Sequence, residues 1–204
     1  MTDYKSTDFN TLDHYRKAAP TYRGSGVGGT NRFLTQFLDE LPQGARILDL
    51  GCGGGRDSAE MIRRGFDVLP CDGSDVIAAE TEQRLEHPVR VLRFDELTFH
   101  QEFDAVWASA SLLHVPRTAL PDILARVHRA LRPGGLHLAT YKAQGVEGRD
   151  SVGRYFNHLS PDDARAAYLT SAPWRNLQIE SYIGGGYDNG ARGPWIKVTA
   201  QAAG

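Results

Sequence analysis

Five short apolar or β-rich runs recur through the middle of this chain, and what separates them decides the fold. They are residues 46–51 (RILDLG), 67–73 (DVLPCDG), 89–94 (VRVLRF), 103–108 (FDAVWA) and 136–142 (LHLATYK), each bounded by turn residues. Helical patterns lie between them. Residues 56–64 are stopped by Gly65, and residues 74–86 open on Ser74 as N-cap. Residues 118–132 put Leu120, Leu124, Val127 and Leu131 on one face, with Pro133, Gly134 and Gly135 as the stop. Strand and helix in alternation mean βαβ units and a mostly parallel sheet. Only the link between the third and fourth runs, residues 95–102 (DELTFHQE), leaves little room for a helix.

Further on, residues 160–172 (SPDDARAAYLTSA) open with Ser160 as N-cap, Pro161 at the first helical position and Asp163 at the third. Two last strands follow, residues 176–184 (NLQIESYIG) and 194–202 (PWIKVTAQA). The stretch GGYDNGARG between them is shorter than the dozen or so residues a parallel crossover takes, so this pair runs antiparallel. The expectation is an α/β fold with seven strands, the last one reversed. A chain of 204 residues without repeats or a low-complexity linker fits one domain, 1–204, with a full core.

Charge and composition narrow the function classes. A net charge of −2 gives no basic excess for nucleic acid. The start MTDYKSTDFN is not a signal sequence, and no segment approaches the roughly 20 apolar residues of a membrane helix. A cytoplasmic protein is expected. Cys52 and Cys71 have no zinc-like spacing and read as reduced packing residues; no metal is expected.

Two glycine runs compete as a nucleotide site. Residues 24–29 (GSGVGG) fit a dinucleotide fingerprint by letter, but a polar, helix-like stretch precedes them. An amphipathic helix with Phe33, Leu34, Phe37, Leu38 and Leu41 on its buried face follows, so they read as a linker. Residues 49–57 (DLGCGGGRD) instead end a strand, begin a helix, and are followed about 20 residues on by Asp72 at the tip of the next strand, placed to accept ribose hydroxyls. Arg56 stands where a dinucleotide fingerprint has its third glycine. Asp49 would repel a pyrophosphate and suits a ligand carrying positive charge.

The series Asp49-Leu-Gly-Cys-Gly-Gly-Gly55, Asp72 in CDGS, then FDEL, FDAVWAS and ALRPGG closely resembles the motifs of class I S-adenosylmethionine-dependent methyltransferases. The resemblance implies a three-layer, Rossmann-like, seven-stranded sheet of order 3-2-1-4-5-7-6 with the last strand antiparallel, in agreement with the reversal read from loop length. It implies S-adenosyl-L-methionine as cofactor and S-adenosyl-L-homocysteine as product. On it, Gly51, Cys52, Gly53 and Gly55 pass close to the methionine and ribose part, and Asp72, with Gly73 and Ser74, lies at the ribose. Asp95, Glu96 and Leu97 correspond to the adenine site and Ser109 to the methionine contact. Tyr15 and Tyr22 resemble aromatic positions that close over the cofactor, from N-terminal helices within residues 1–41 that cover the core of residues 42–204. Arg56 pairs either with the methionine carboxylate or with Asp57.

Methyl transfer from a sulfonium is an in-line displacement, so alignment and exclusion of water come first. A general base is needed only for an acceptor that starts protonated. His114 in SASLLHVP, just past the fourth strand, is the candidate, with a structural histidine as the competing reading. The long connection at about 142–160 reads as a lid or acceptor loop. Its Lys142, Arg149, Arg154, Tyr155 and His158 offer an anion clamp for a small acidic acceptor, against the alternative of a solvated charged loop. The compact chain and ASASLLHVP resemble small-molecule methyltransferases of the tellurite-resistance type. ASAS stands where base or glutamine methylation would need an Asn-Pro-Pro-Tyr-like sequence. Two rival functions remain: a catalytically silent S-adenosylmethionine-binding protein and an NAD-dependent oxidoreductase.

Overall fold

The computed structural model describes residues 7–19, 30–185 and 192–203. Six helices, α1 (Phe9–Ala18), α2 (Leu34–Asp39), α3 (Arg56–Arg63), α4 (Asp75–Leu85), α5 (Leu120–Ala130) and α6 (Pro161–Ser171), pack around one large sheet. Its strands are β1 (Arg46–Leu50), β2 (Asp67–Asp72), β3 (Arg90–Val91), β4 (Phe103–Ala108), β5 (Leu131–Lys142), β8 (Trp174–Gly185) and β9 (Arg192–Ala202). The order is β3-β2-β1-β4-β5-β9-β8; β6 (Gly148–Arg149) and β7 (Tyr155–Phe156) form a separate small hairpin. The first five strands run parallel, and β9 is antiparallel to both β5 and β8. With the hairpin set aside, this is the expected order with its reversed last strand.

Local chemistry explains most element ends. Ser74 caps α4 by accepting from the Ile77 N–H, and Ser160 and Asp163 form the reciprocal capping box of α6. The third strand is shorter than the run VRVLRF predicts. The Arg93 N–H bonds to Glu96 Oε2 at 3.0 Å, so the chain turns into a 3-10 segment, Phe94–Glu96, and leaves Val91 half exposed at the sheet edge. Helix α5 stops at Ala130 because Leu131 is already extended and joins the sheet, and Arg132, just ahead of Pro133, is kept from the helical region in turn. Leu131 already pairs with Phe103, and the ladder shifts register before resuming at Ala105 and Leu136.

Each sheet face has its own apolar layer. Phe37, Leu38, Met61, Ile47 and Trp107 pack on the α2 and α3 side; Leu120, Leu124, Val127, Tyr141, Tyr168 and Trp174 pack on the α5 and α6 side. Burying a side chain of this size contributes about 1.5–3 kcal/mol. The second layer also encloses a directional polar chain. His137 Nδ1 lies 3.1 Å from the Val106 carbonyl, which only accepts, so Nδ1 carries the proton. Nε2 therefore accepts from the Tyr168 hydroxyl at 2.9 Å, and Tyr141 donates to Tyr168 at 3.2 Å.

Tyr168→Phe leaves a buried ring nitrogen and a buried hydroxyl without partners. It is expected to cost about 1–3 kcal/mol, read as a fall in Tm of roughly 2–4 °C per kcal/mol; an unchanged Tm would refute the assigned chain. Burial also pushes His137 down to about 4. The unfolded chain protonates first, near pH 6.5. This contribution to stability is complete above about pH 6.5 and is lost as pH falls toward about 4. Between pH 7 and pH 5, the Tm of the unmodified protein should therefore fall more steeply than that of His137→Gln.

Candidate active site

The loop after β1 is shaped by three glycines in the left-handed region, Gly51, Gly53 and Gly55. Gly51 has φ +81°, and a Cβ there would stand 2.5 Å from Ser111 Cβ; Gly55, at φ +73°, leads into α3 and would meet Thr81 Cγ2 at 2.6 Å. The Cys71 carbonyl accepts from the N–H groups of Gly51 and Cys52 at 2.9 and 2.8 Å, sewing the loop to the end of β2. Asp72 completes the junction: Oδ2 accepts from the Gly53 N–H at 3.1 Å and Oδ1 from the Ser74 N–H at 2.9 Å. From α4, Thr81 donates to the Gly53 carbonyl at 2.7 Å, and Arg84 donates to the Gly54 carbonyl.

This loop is rich in acid. Burial raises Asp72 to about 6. It raises Asp49 to about 7, helped by the charges of Asp57 and Asp72 and opposed by the hydrogen bond that Ser58 donates at 2.5 Å. Asp57 accepts from the Asn31 N–H at 3.0 Å, Arg56 Nε at 2.9 Å and Trp107 Nε1 at 3.1 Å. Of the two partners open to Arg56, the structure thus provides Asp57.

A cavity opens above the loop. Gly51, Gly53, Asp72 and Gly73 form its floor; Ile77, Leu92, Arg93 and Phe94 form one wall; Ala110, Ser111 and His114 form another. Helix α1 spans the cavity, contributing Thr11, Leu12 and Tyr15. Its N-cap, Asp8, accepts from the Thr11 N–H and takes two hydrogen bonds from Arg149 at 3.0 and 2.6 Å. Thr11 Oγ1 accepts from the Tyr155 N–H at 2.8 Å, and Arg16 pairs with Asp75 at 3.0 Å. Leu12 rests against Gly73, where a Cβ would come within 2.9 Å of its Cδ2.

Tyr15, Gly51, Gly53, Asp72, Gly73 and His114 thus line one cavity, with Cys52 and Gly55 in the loop and Ser74 capping α4. Several other residues are placed differently. Asp49 is buried beneath the loop on Ser58. Asp95 is held by Arg93 Nε at 3.1 Å, Glu96 by Arg93 Nη1 at 2.9 Å, and Leu97 is fully buried, so the cavity receives Leu92, Arg93 and Phe94 instead. Ser109 accepts from Asn31 Nδ2 at 2.8 Å, and its neighbours Ala110 and Ser111 face the cavity. Arg149 is committed to Asp8, Arg154 pairs with Asp150 at 2.6 Å, and the Tyr155 hydroxyl donates to Glu147; none of the three lines the cavity. Tyr22 and residues 24–29 lie outside the described residues. Ser111, which fits against Gly51 and donates to the Leu50 carbonyl at 2.6 Å, carries no sequence signal beyond its place after the fourth strand.

His114 has a defined tautomer. Nδ1 lies 2.6 Å from the Tyr155 carbonyl and must donate, so Nε2 accepts from the Tyr15 hydroxyl at 3.0 Å. Burial pushes His114 down to about 4, and the charges of Arg154 and Lys142 add to the shift. The ring is neutral at pH 7.

Gly51→Ala should be more damaging than Gly134→Ala. Both positions have positive φ, but a Cβ at Gly134 meets nothing within 4 Å. The left-handed conformation alone costs about 1–2 kcal/mol; Gly51→Ala adds the collision with Ser111. Thermal melts of the two variants check the ranking, and equal losses would remove the role given to Ser111.

The match to known proteins agrees with this geometry. Residues 47–135 match a family model described as a methyltransferase domain. An uncharacterized methyltransferase of Synechocystis is 32% identical over 114 residues, 54% of each chain, so this chain spans about half of that protein. A ubiquinone biosynthesis O-methyltransferase of Xanthomonas oryzae is 33% identical over 174 residues, covering 74% of this chain and 68% of the relative. In fold, the chain is similar to the 1,6-didemethyltoxoflavin-N1-methyltransferase of Burkholderia thailandensis, solved with 1,6-didemethyltoxoflavin and S-adenosylhomocysteine. The TM-score is 0.75 at 18% identity, over 96% of this chain and 88% of that one. A third of the aligned residues shared with a methyltransferase across most of both chains, on a sheet with that strand order, leaves one assignment: the chain belongs to the class I S-adenosylmethionine-dependent methyltransferases.

Proposed function

We propose that the protein transfers a methyl group from S-adenosylmethionine to a small-molecule acceptor. One observation carries the reading: the Asp72 carboxylate, held by two backbone N–H groups, faces a cavity whose floor is the glycine loop. The donor set fits the cofactor. Asp72 is placed to accept from a ribose diol, Leu92, Phe94 and Ile77 offer an apolar wall for an adenine, and Gly51 admits close approach of backbone. The carboxylates of Asp49, Asp57 and Asp72 around the loop favour a cationic ligand and disfavour the pyrophosphate of NAD. Bound there, the cofactor supplies an electrophilic methyl group on a sulfonium.

The small acceptor is supported by α1, which closes over the cavity, and by the small-molecule names of the quinone-pathway relative and the toxoflavin-pathway neighbour. His114 is reassigned within this proposal. A neutral imidazole pushed down to about 4 is a weak base for an alcohol; here it accepts from Tyr15 and positions that hydroxyl at the cavity wall. A cytoplasmic site of action belongs to the same proposal and is supported by two unbridged thiols, Cys52 and Cys71.

Calorimetric titration with S-adenosylmethionine, S-adenosylhomocysteine and NAD tests the reading. The two adenosyl ligands should bind and NAD should not. Asp72→Ala, and to a lesser degree Asp72→Asn, should weaken binding by about tenfold or more, the worth of a lost charged hydrogen bond. Because the ligand is held by the carboxylate form, affinity should also fall as pH drops below about 6. Binding of NAD alone, or no binding by a folded protein, would overturn the proposal.

A further inference from the structure

Two hydroxyls that line the cavity have their protons committed elsewhere. Ser111, itself buried, donates to the Leu50 carbonyl at 2.6 Å, and Tyr15 donates to His114 Nε2 at 3.0 Å. The second assignment is forced from behind the ring. The Tyr155 carbonyl only accepts, so His114 Nδ1 carries the proton and Nε2 carries none. A hydroxyl has one proton and two lone pairs. What Ser111 and Tyr15 can hold out to a ligand is therefore lone pairs. Thr11 stands beside them, tied to the N–H of the same Tyr155 whose carbonyl holds His114.

On the methyltransferase reading above, the cavity floor belongs to the ribose and the wall of Ile77, Leu92 and Phe94 to the adenine. The other wall, Ala110, Ser111 and His114 with Tyr15 over it, is left to the sulfonium and to the molecule that receives the methyl group. That wall carries no formal charge, His114 being neutral. Among the described residues lining the cavity, the cation is Arg93, on the adenine wall, and Asp95 and Glu96 take it at 3.1 and 2.9 Å. The other charged lining residues, Asp8 and Asp72, are acids. Arg154 lies 6.0 Å from the Tyr15 ring but outside the lining, and it gives two hydrogen bonds to Asp150 at 2.9 and 2.6 Å. An anionic methyl acceptor would thus face lone pairs and carboxylates. An ammonium would face the sulfonium and has no lone pair to give.

We infer that the methyl acceptor is an uncharged nitrogen compound that keeps an N–H for the Tyr15 oxygen, and that His114 sets this preference by holding the Tyr15 proton. The inference rests on the methyltransferase reading and deepens it. The nitrogen lone pair forms the bond to the methyl carbon, the carbon–sulfur pair stays with sulfur, and the positive charge passes from sulfur to nitrogen. The surplus proton then leaves that nitrogen for water. No base has to act during the displacement, which suits a site whose histidine is a poor one. The N–H···O bond aims the lone pair and strengthens as the nitrogen becomes positive, so it favours the transition state over the bound reactants.

The test uses the full chain saturated with S-adenosylhomocysteine and three probes built on one ring: aniline, toluene and benzoate. Ligand-observed NMR titrations run at about pH 7, where aniline is uncharged and benzoate is an anion. Aniline should bind at least about tenfold more tightly than toluene, which has its shape without the N–H, and than benzoate. Tyr15→Phe keeps the ring, removes the oxygen, and should bring aniline down to the level of toluene. His114→Phe returns the Tyr15 proton to the cavity and should shift the ratio of aniline to benzoate binding by about tenfold toward benzoate. Each variant is titrated with S-adenosylhomocysteine first and then saturated with it, so that a change in cofactor affinity does not enter the comparison. No binding of aniline, binding no tighter than that of toluene or benzoate, or a preference that survives Tyr15→Phe would overturn the inference. An unchanged ratio in folded His114→Phe would overturn the part given to His114; should that variant not fold, Tyr15→Phe decides alone. Failure of S-adenosylhomocysteine to bind the unmodified protein reads out in the first titration and counts against the cofactor site instead.

Discussion

The carboxylate of Asp72 takes one hydrogen bond from Gly53 and one from Ser74, and so fastens the loop after β1 to the loop after β2. The rest of the site hangs on that junction. It sets the glycine loop at the height where Gly51 meets Ser111, starts α4 at its serine cap, and leaves α4 to tie down the loop carbonyls through Thr81 and Arg84. The junction is electrostatically costly, since burial raises Asp72, and burial with the neighbouring acids raises Asp49, well above ordinary carboxylates. A cationic ligand relieves the same strain that an anionic one would aggravate. Ligand choice and loop shape are thus two results of one arrangement of charge.

The frame was legible in the sequence wherever its causes are local. Periodicity located the large strands; Ser74 and the Ser160–Asp163 pair marked helix starts that the structure reproduces; a short connection was enough to reverse the last strand. What escaped depends on partners far apart in the chain. Arg93 draws Asp95 and Glu96 aside and turns the cavity wall over to Leu92 and Phe94. Asn31 occupies Ser109, and Asp8 occupies Arg149. Each residue kept the chemistry its type advertises, but spacing along the chain does not say which opposite charge or donor will reach it first.

Helix α1 shows how such long-range pairs combine. Leu12 and Arg16 touch the start of α4 through Gly73 and Asp75, while Asp8, Thr11 and Tyr15 touch the hairpin and the turn after β4 through Arg149, Tyr155 and His114. One short helix therefore joins two opposite walls of the cavity. Its contacts with the hairpin are polar and partly exposed, the kind that are individually weak and set geometry more than stability.

The Tyr141–Tyr168–His137 chain has a consequence for how this protein can change. It binds α6 to β5 and, through the Val106 carbonyl, to β4, by hydrogen bonds that tolerate neither a slipped register nor a missing partner. The segment between β5 and α6 is therefore tethered at both ends to an immovable frame. The segment's other ties run to α1, through Arg149 and Tyr155, and to the turn after β4, through the Tyr155 carbonyl and the Asn157 amide. A change in this segment therefore reaches the roof and wall of the cavity before it reaches the sheet.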